Sequence, residues 1–219
     1  MPENIERAAA LIDKAAAQGA NLVVLPECFT GKYGCDHFAK WTEPLVDHDG
    51  THGVLGGGAM MRERAQHHGI VVTGGVIEAH GGLLWNSMPV YGPDGLLAIY
   101  RKIHLSRVLG VTSESDVLEA GAVPTTFELP GAAVRVGMLC CFDLRFRDLL
   151  AQYGPGHGEH GPCGILCAPA AFLRATGTDH WDLVRARAET AHTDRTRPAP
   201  STHSGMPASE WVRVNPREH

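Results

Sequence analysis

Two adjacent thiols, Cys140 and Cys141, stand in GMLCCFDLRFRDLL, where an apolar run gives way to a charged, helix-like one. Val134, Val136 and Met138 alternate as a half-buried strand would, and Leu139 and Cys140 extend the run. After Phe142, Asp143 can cap or enter a helix whose Leu144, Leu149 and Leu150 face inward. A thiol at that junction lies near the positive end of the helix, which favours the thiolate and makes a nucleophile. Side chains on a strand point alternately, so only one of the two thiols is expected to face a cleft. The other reading is two small buried apolar residues, the common fate of free cysteine. Two further polar residues fall near apolar strand ends: Glu27 after NLVVLP, and Lys102 in YRKIHL. A thiol, a carboxylate and an ammonium are the parts of nucleophilic catalysis: nucleophile, proton acceptor and a cation for developing negative charge. Separately, Glu27 and Lys102 also read as ordinary solvated charges.

The elements that must position these residues alternate between helix and strand. Ile5, Ala8, Ala9, Ile12, Ala15 and Ala16 share a helical face that ends at Gly19. NLVVLPE reads as a short buried strand stopped by Pro26, and Met60 to His68 as a helix after three glycines. IVVTGGVI and LLWNSMPVY read as strands, GPDG at 92–95 as a hairpin turn, and LLAIYRKIHL as the returning strand. A loop is expected from Ser106 to Ala122, then a second hairpin from TTFELP and AVRVGMLCC. A helix over Leu144 to Tyr153, a flexible GPGHGEHGP insertion, a strand in GILCAPAAF and a helix over Asp179 to His192 follow. Polar, proline-containing sequence from Thr193 onward has no period and reads as a disordered tail. The pattern is that of a layered α/β domain, in which sites collect at the carboxyl ends of strands.

Composition narrows the function. The chain has 219 residues, enough for one sizeable core, and a net charge of −5, so no broad basic surface advertises nucleic acid. No run approaches the ~18 apolar residues of a membrane span. The N-terminus alternates charge with alanine, unlike a secretory signal, so the 6 cysteines are expected to be reduced thiols in a cytoplasmic protein, with a mitochondrial one as the alternative.

Together, LPECF, YRKIHL and CFDLRF resemble the nitrilase (carbon–nitrogen hydrolase) superfamily, whose catalytic Glu, Lys and Cys occur in this chain order. The family cysteine motif, C-[YF]-D-x-R-F, falls on Cys141, so the resemblance makes Cys141 the nucleophile and leaves Cys140 to strand packing. PECFTGKYGCDHF, GPDGLLAIYRKIHL and PAAFLRATGTDHWDLVRARA are most similar to the omega-amidase branch. The resemblance implies an α-β-β-α sandwich, usually oligomeric, with no metal or organic cofactor. It implies Glu27, Lys102 and Cys141 as catalytic residues and Glu114 as a second glutamate beside the lysine. Glu27 is expected to be desolvated, with its pKa moved towards neutrality. The N–H of Phe142 is a natural second oxyanion donor. Substrates would be short dicarboxylate monoamides, chiefly 2-oxoglutaramate and 2-oxosuccinamate, with water. Arg145, Thr176 and Gly177 are candidates for holding the distal carboxylate. The alternatives are a deaminated-glutathione-type or other carbon–nitrogen hydrolase, or a catalytically inactive truncated homologue.

The expected hydrolase domain covers residues 1–192, with 193–219 as the tail. Against the family pattern the sandwich is expected to be truncated, lacking the N-terminal strand and the strands of the C-terminal third. Such losses would expose sheet edges and weaken the fold. His157, His160, Cys163 and Cys167 superficially read as a zinc site. Against zinc, the two thiols bracket a strand and would stand on one face about 13 Å apart, too far for one ion.

Overall fold

The computed structural model describes residues 2–45, 56–108, 112–156, 159–172 and 177–192. The first helix, α1 (Pro2–Ala17), buries Ala8, Ala9 and Ile12, the face expected from the sequence. Its partner α3 (Gly57–His68) begins earlier than the Met60 expected, because a distant side chain supplies its cap. Glu43, on the short strand β2 (Thr42–Glu43), accepts the N–H groups of Gly57 (3.1 Å) and Gly58 (2.7 Å). A carboxylate across the first turn satisfies donors that the helix itself cannot. A Cβ on Gly57 would lie 2.4 Å from Thr30, so the glycines here serve close approach.

Strands β1 (Leu22–Val24), β3 (Val71–Thr73), β4 (Val76–His80), β5 (Leu83–Gly92) and β6 (Gly95–Arg101) join β2 in one six-stranded sheet. IVVTGGVI is therefore two strands, not one, and the break is Gly74–Gly75. The reason is the neighbouring chain: a Cβ on Gly75 would stand 2.7 Å from the Glu27 Cα, and one on Gly74 2.7 Å from Leu25. Gly75 donates to the Pro26 carbonyl (3.0 Å) and accepts from Phe29 N–H (3.1 Å), so the break cradles the segment carrying Glu27. β5 and β6 form the expected hairpin, with Gly92 opposite Gly95.

The second sheet, in the order β11-β10-β9, comprises β9 (Thr126–Glu128), β10 (Arg135–Met138) and β11 (Ile165–Cys167). Alternation along the strands sorts side chains between layers. Val72 and Tyr91 pack on α1 and α3, whereas Val71, Val90, Met88 and Tyr100 meet Phe127, Val136 and Met138 of the second sheet. On the far side, Leu139, Leu144, Leu149, Leu150 and Tyr153 cluster with Leu183 of the last helix, α5 (Gly177–His192). Each fully buried aliphatic or aromatic side chain contributes roughly 1.5–3 kcal/mol. The layers are helix, sheet, sheet, helix: the α-β-β-α sandwich implied by the resemblance.

Two further expectations change. The loop from 106 to 122 contains a small hairpin, β7 (Arg107–Val108) with β8 (Thr112–Ser113), and a 3-10 turn over Glu114–Asp116. The helix expected from Leu144 to Tyr153 is split into a 3-10 turn over Cys141–Arg145 and α4 (Arg147–Gln152). Phe146 between them is extended (φ −103°, ψ 103°), and its ring stacks on His104 at 3.6 Å. The tail from Thr193 lies outside the described residues.

Candidate active site

Because β1 and β6 both run antiparallel to β5 by way of the sheet pairing, their carboxyl ends share one edge. Glu27 follows β1, Lys102 is the first residue after β6, and Cys141 lies just past the end of β10. Glu27, Lys102 and Glu114 are 3%, 0% and 0% exposed, and Cys141 9%, so the cluster is almost wholly withdrawn from water.

Glu27 is held at both oxygens. Its Oε1 accepts from Lys102 Nζ (2.9 Å) and Asn86 Nδ2 (2.8 Å), and its Oε2 from the Ala171 N–H (2.9 Å). Burial alone would raise its pKa, but the Lys102 charge and the hydrogen bonds from Lys102, Cys141 and Asn86 outweigh it. The carboxyl is held below its ordinary value, which corrects the expected move towards neutrality: an adjacent ammonium defeats desolvation. Burial also works against the charge on Lys102, yet the acidic groups around it, Cys140, Glu27 and Glu114 among them, hold it well above the ordinary lysine value. Glu114 accepts from Lys102 Nζ (2.9 Å to Oε2, 3.1 Å to Oε1) and from the Ser106 N–H (2.6 Å). The 3-10 turn after β8 thus brings Glu114 beside Lys102.

Cys141 occupies the left-handed region, with φ 47°, which a side chain tolerates only under constraint. Its N–H donates to the Pro169 carbonyl at 2.8 Å, and Asp143 secures the same bend. Asp143, fully buried, accepts from the Cys140 N–H (2.9 Å), Tyr100 hydroxyl (2.7 Å), and the His104 N–H (2.9 Å) and ring Nδ1 (2.8 Å). The elbow carrying the thiol is thereby fastened to the end of the strand carrying the lysine. Burial pushes the Cys141 thiol up to about 12, with the Glu27 charge adding to it. The expected helix-end thiolate is not the resting form, because burial beside a carboxylate exceeds the influence of one short turn. The Cys141 thiol is hydrogen-bonded to Glu27, and the Ala171 N–H touches both.

The two thiols do not point to opposite faces. β10 ends at Met138, and the bend at Cys141 replaces strand alternation. Cys140 packs between the sheets, as expected, yet its Sγ also donates to Glu27 Oε1 at 3.4 Å. Asn86 is the residue that sequence reasoning missed. It is 1% exposed, and its Nδ2 donates to both Glu27 and Glu114 (3.1 Å). The available signal was an amide in the middle of the apolar run LLWNSMPVY.

Around this floor lies a more open rim. Phe142 follows Cys141 in the 3-10 turn, and the exposed Arg145 guanidinium stands 5.6 Å from its ring centroid. Arg145 also lies 3.4 Å from His180 Nε2, and His180 stacks on Phe172 at 3.5 Å. Gly177 opens α5, and Thr176 lies outside the described residues. Cys163 and Cys167 do not share a face: Cys163 packs with Leu166 and Tyr153 on the outer side, Cys167 between the sheets. The strand begins only at Ile165, so alternation does not extend back to Cys163. His157 is outside the described residues, and among those described no group of three or more His, Cys, Asp or Glu could hold a metal. No helix among them is long and apolar enough to cross a membrane.

A two-sheet sandwich with a buried Glu–Lys–Glu cluster facing a cysteine at a strained bend defines the class of protein. The carbon-nitrogen hydrolase family matches residues 1–192, and the chain belongs to that family. Among its relatives, the omega-amidase NIT2 of Danio rerio is 40% identical over 189 residues, covering 84% of this chain and 63% of that protein. Omega-amidase NIT2 of Homo sapiens is 38% identical, with the same coverage of 84% and 63%. The chain thus spans just under two thirds of the length of these curated relatives. Among solved structures, XC1258 from Xanthomonas campestris, a CN-hydrolase superfamily protein with an arsenic adduct in its active site, matches with a TM-score of 0.71. It is 26% identical, covering 85% of this chain and 65% of that one. Nit3 of Saccharomyces cerevisiae, a member of branch 10 of the nitrilase superfamily, matches with a TM-score of 0.69 at 28% identity, covering 85% and 65%.

Proposed function

We propose that the protein is an amidase that hydrolyses the terminal amide of small dicarboxylate monoamides, 2-oxoglutaramate or 2-oxosuccinamate, to the acid and ammonia. The observation that carries this reading is the buried contact of Glu27 with both the Cys141 thiol and the Lys102 ammonium. Cys141 attacks the amide carbon as Glu27 takes its proton. Because the resting thiol titrates at about 12, that transfer accompanies attack and does not precede it. Glu27 then passes the proton to the departing ammonia and takes another from the water that cleaves the thioester.

Lys102 has three N–H groups: one faces Glu27, and one is shared between the two oxygens of Glu114, at 2.9 and 3.1 Å. The third is the donor for the oxyanion, joined by the Phe142 N–H in the first turn after the nucleophile. Glu114 orients the ammonium. Arg145 is the candidate for the distal carboxylate, since it stands over the ring of Phe142 next to the nucleophile. The similarity to omega-amidases supports the choice of substrate class. The test is ammonia release by the purified protein from 2-oxoglutaramate, 2-oxosuccinamate and deaminated glutathione. Fastest turnover of the first two supports the reading, and preference for the third transfers it to the other branch.

A further inference from the structure

The buried floor contains more negative charge than positive. Glu27 and Glu114 face a single ammonium, Lys102, at exposures of 3%, 0% and 0%. Two carboxylates sharing one cation in a site closed to water need further donors, and a second cation would compete with Lys102 for its place. Asn86 supplies two protons from one nitrogen: Nδ2 lies 2.8 Å from Glu27 Oε1 and 3.1 Å from Glu114 Oε1. Lys102 Nζ bonds the same two oxygens, at 2.9 and 3.1 Å, so the four groups close a ring. The backbone fixes this ring. Ser87 pairs with Arg101 across the β5–β6 ladder, and the Lys102 N–H donates to the Asn86 carbonyl at 2.8 Å. The Asn86 Oδ1 in turn accepts from the Cys140 thiol at 3.8 Å. Ile77, opposite Asn86 on β4, is apolar, and Tyr33 from the segment after Glu27 is bonded to Ser106 at 2.9 Å.

We propose that Asn86 is a positioning residue that holds the two glutamates apart on one neutral amide, so that Lys102 keeps one N–H for the reacting carbonyl oxygen. The assignment rests on the amidase reading for its kinetic consequence, and on geometry alone for its effect on Glu27. Without the amide, each Oε1 loses a donor, and the ammonium is drawn between the carboxylates to replace it. The base then binds its proton more tightly, and the oxyanion loses its cationic donor.

Two measurements on Asn86→Ala and the nearly isosteric Asn86→Asp test this. In steady-state assays with 2-oxoglutaramate, kcat is expected to fall roughly tenfold to hundredfold, the scale of a catalytic group displaced by about 1 Å. KM should stay within about threefold, since the residue acts through others. The second measurement needs no turnover: 13C-carboxyl NMR titration of Glu27, assigned by comparison with Glu27→Gln. The midpoint should rise in Asn86→Ala and further in Asn86→Asp, where a third carboxylate joins the ring. Folded variants with wild-type kcat and an unmoved Glu27 midpoint would overturn the proposal. Should the alanine variant fail to fold, the aspartate variant gives the same decision. If wild-type protein releases ammonia from none of the amides, the amidase reading fails, and the titration still decides the role of Asn86.

Discussion

The floor and the rim of the site are built by opposite means. On the floor, Glu27, Asn86, Lys102 and Glu114 come from the first sheet and its loops, are buried, and bond one another at 2.8–3.1 Å. On the rim, Arg145 and His180 are held by looser contacts: 3.4 Å between them, and rings beneath each. A preorganised floor suits chemistry common to many amides, because fixed charges pay no reorganisation when the oxyanion forms. A partly solvated rim suits selection among substrates that differ at the far end. Changes on the floor should therefore act on kcat, and changes on the rim on KM.

The largest effects are expected on the floor. Glu27→Gln keeps the shape but cannot take the thiol proton, so turnover of 2-oxoglutaramate should fall by roughly 10² to 10⁴. Lys102→Ala should lose a comparable or larger factor, and Lys102→Arg should not restore it, since a planar fork cannot replace a compact ammonium. Full activity in Lys102→Arg would remove the role given to that lysine. On the rim, Arg145→Ala should raise KM about tenfold for 2-oxoglutaramate with kcat nearly kept. For a neutral short amide the same change should do little, and an equal effect on both would show that Arg145 does not read the carboxylate.

The pH response follows from the raised Cys141 thiol. Its folded pKa of about 12 lies above the ordinary 9.0, so its protonated form favours the fold fully below pH 9 and that contribution is lost as the pH rises through about 12. Alkylation of Cys141, followed by mass spectrometry, should accordingly keep accelerating above pH 9. A plateau below pH 8 would mean that the thiol is activated in the resting state. The smallest effect belongs to the neighbouring thiol: Cys140→Ala should cost on the order of 1 kcal/mol in a thermal melt. Turnover should remain, because Glu27 keeps its bonds to Lys102, Asn86 and Ala171.

What was legible in the sequence divides along the same line. Glu27 and Lys102 follow apolar strands whose runs are clear, so their places could be read from LVVLPE and LLAIYRK; the order of elements indicated a layered α/β domain, and the sandwich was implied by the family resemblance. Gly74–Gly75 was not legible as a break, because its cause is the close approach of Leu25 and Glu27 from elsewhere in the chain. Glu43 capping α3 and Asn86 bridging two glutamates are likewise contacts between distant segments: the amide inside LLWNSMPVY stands out locally, but its partners do not. The pKa directions of Glu27 and Cys141 depart from the sequence expectation for one reason. Each depends on its distance from Lys102 and on its burial, neither of which periodicity reports.

The most direct test of the central claim is the covalent intermediate itself. Acid-quenched mixing of the purified protein with 2-oxoglutaramate, read by intact-protein and peptide mass spectrometry, should show one 2-oxoglutaryl group on the peptide carrying Cys141. The adduct should form together with ammonia and be absent from Cys141→Ala. Turnover of 2-oxoglutaramate by a folded Cys141→Ala protein, or an acyl group found on Cys140 instead, would contradict the account.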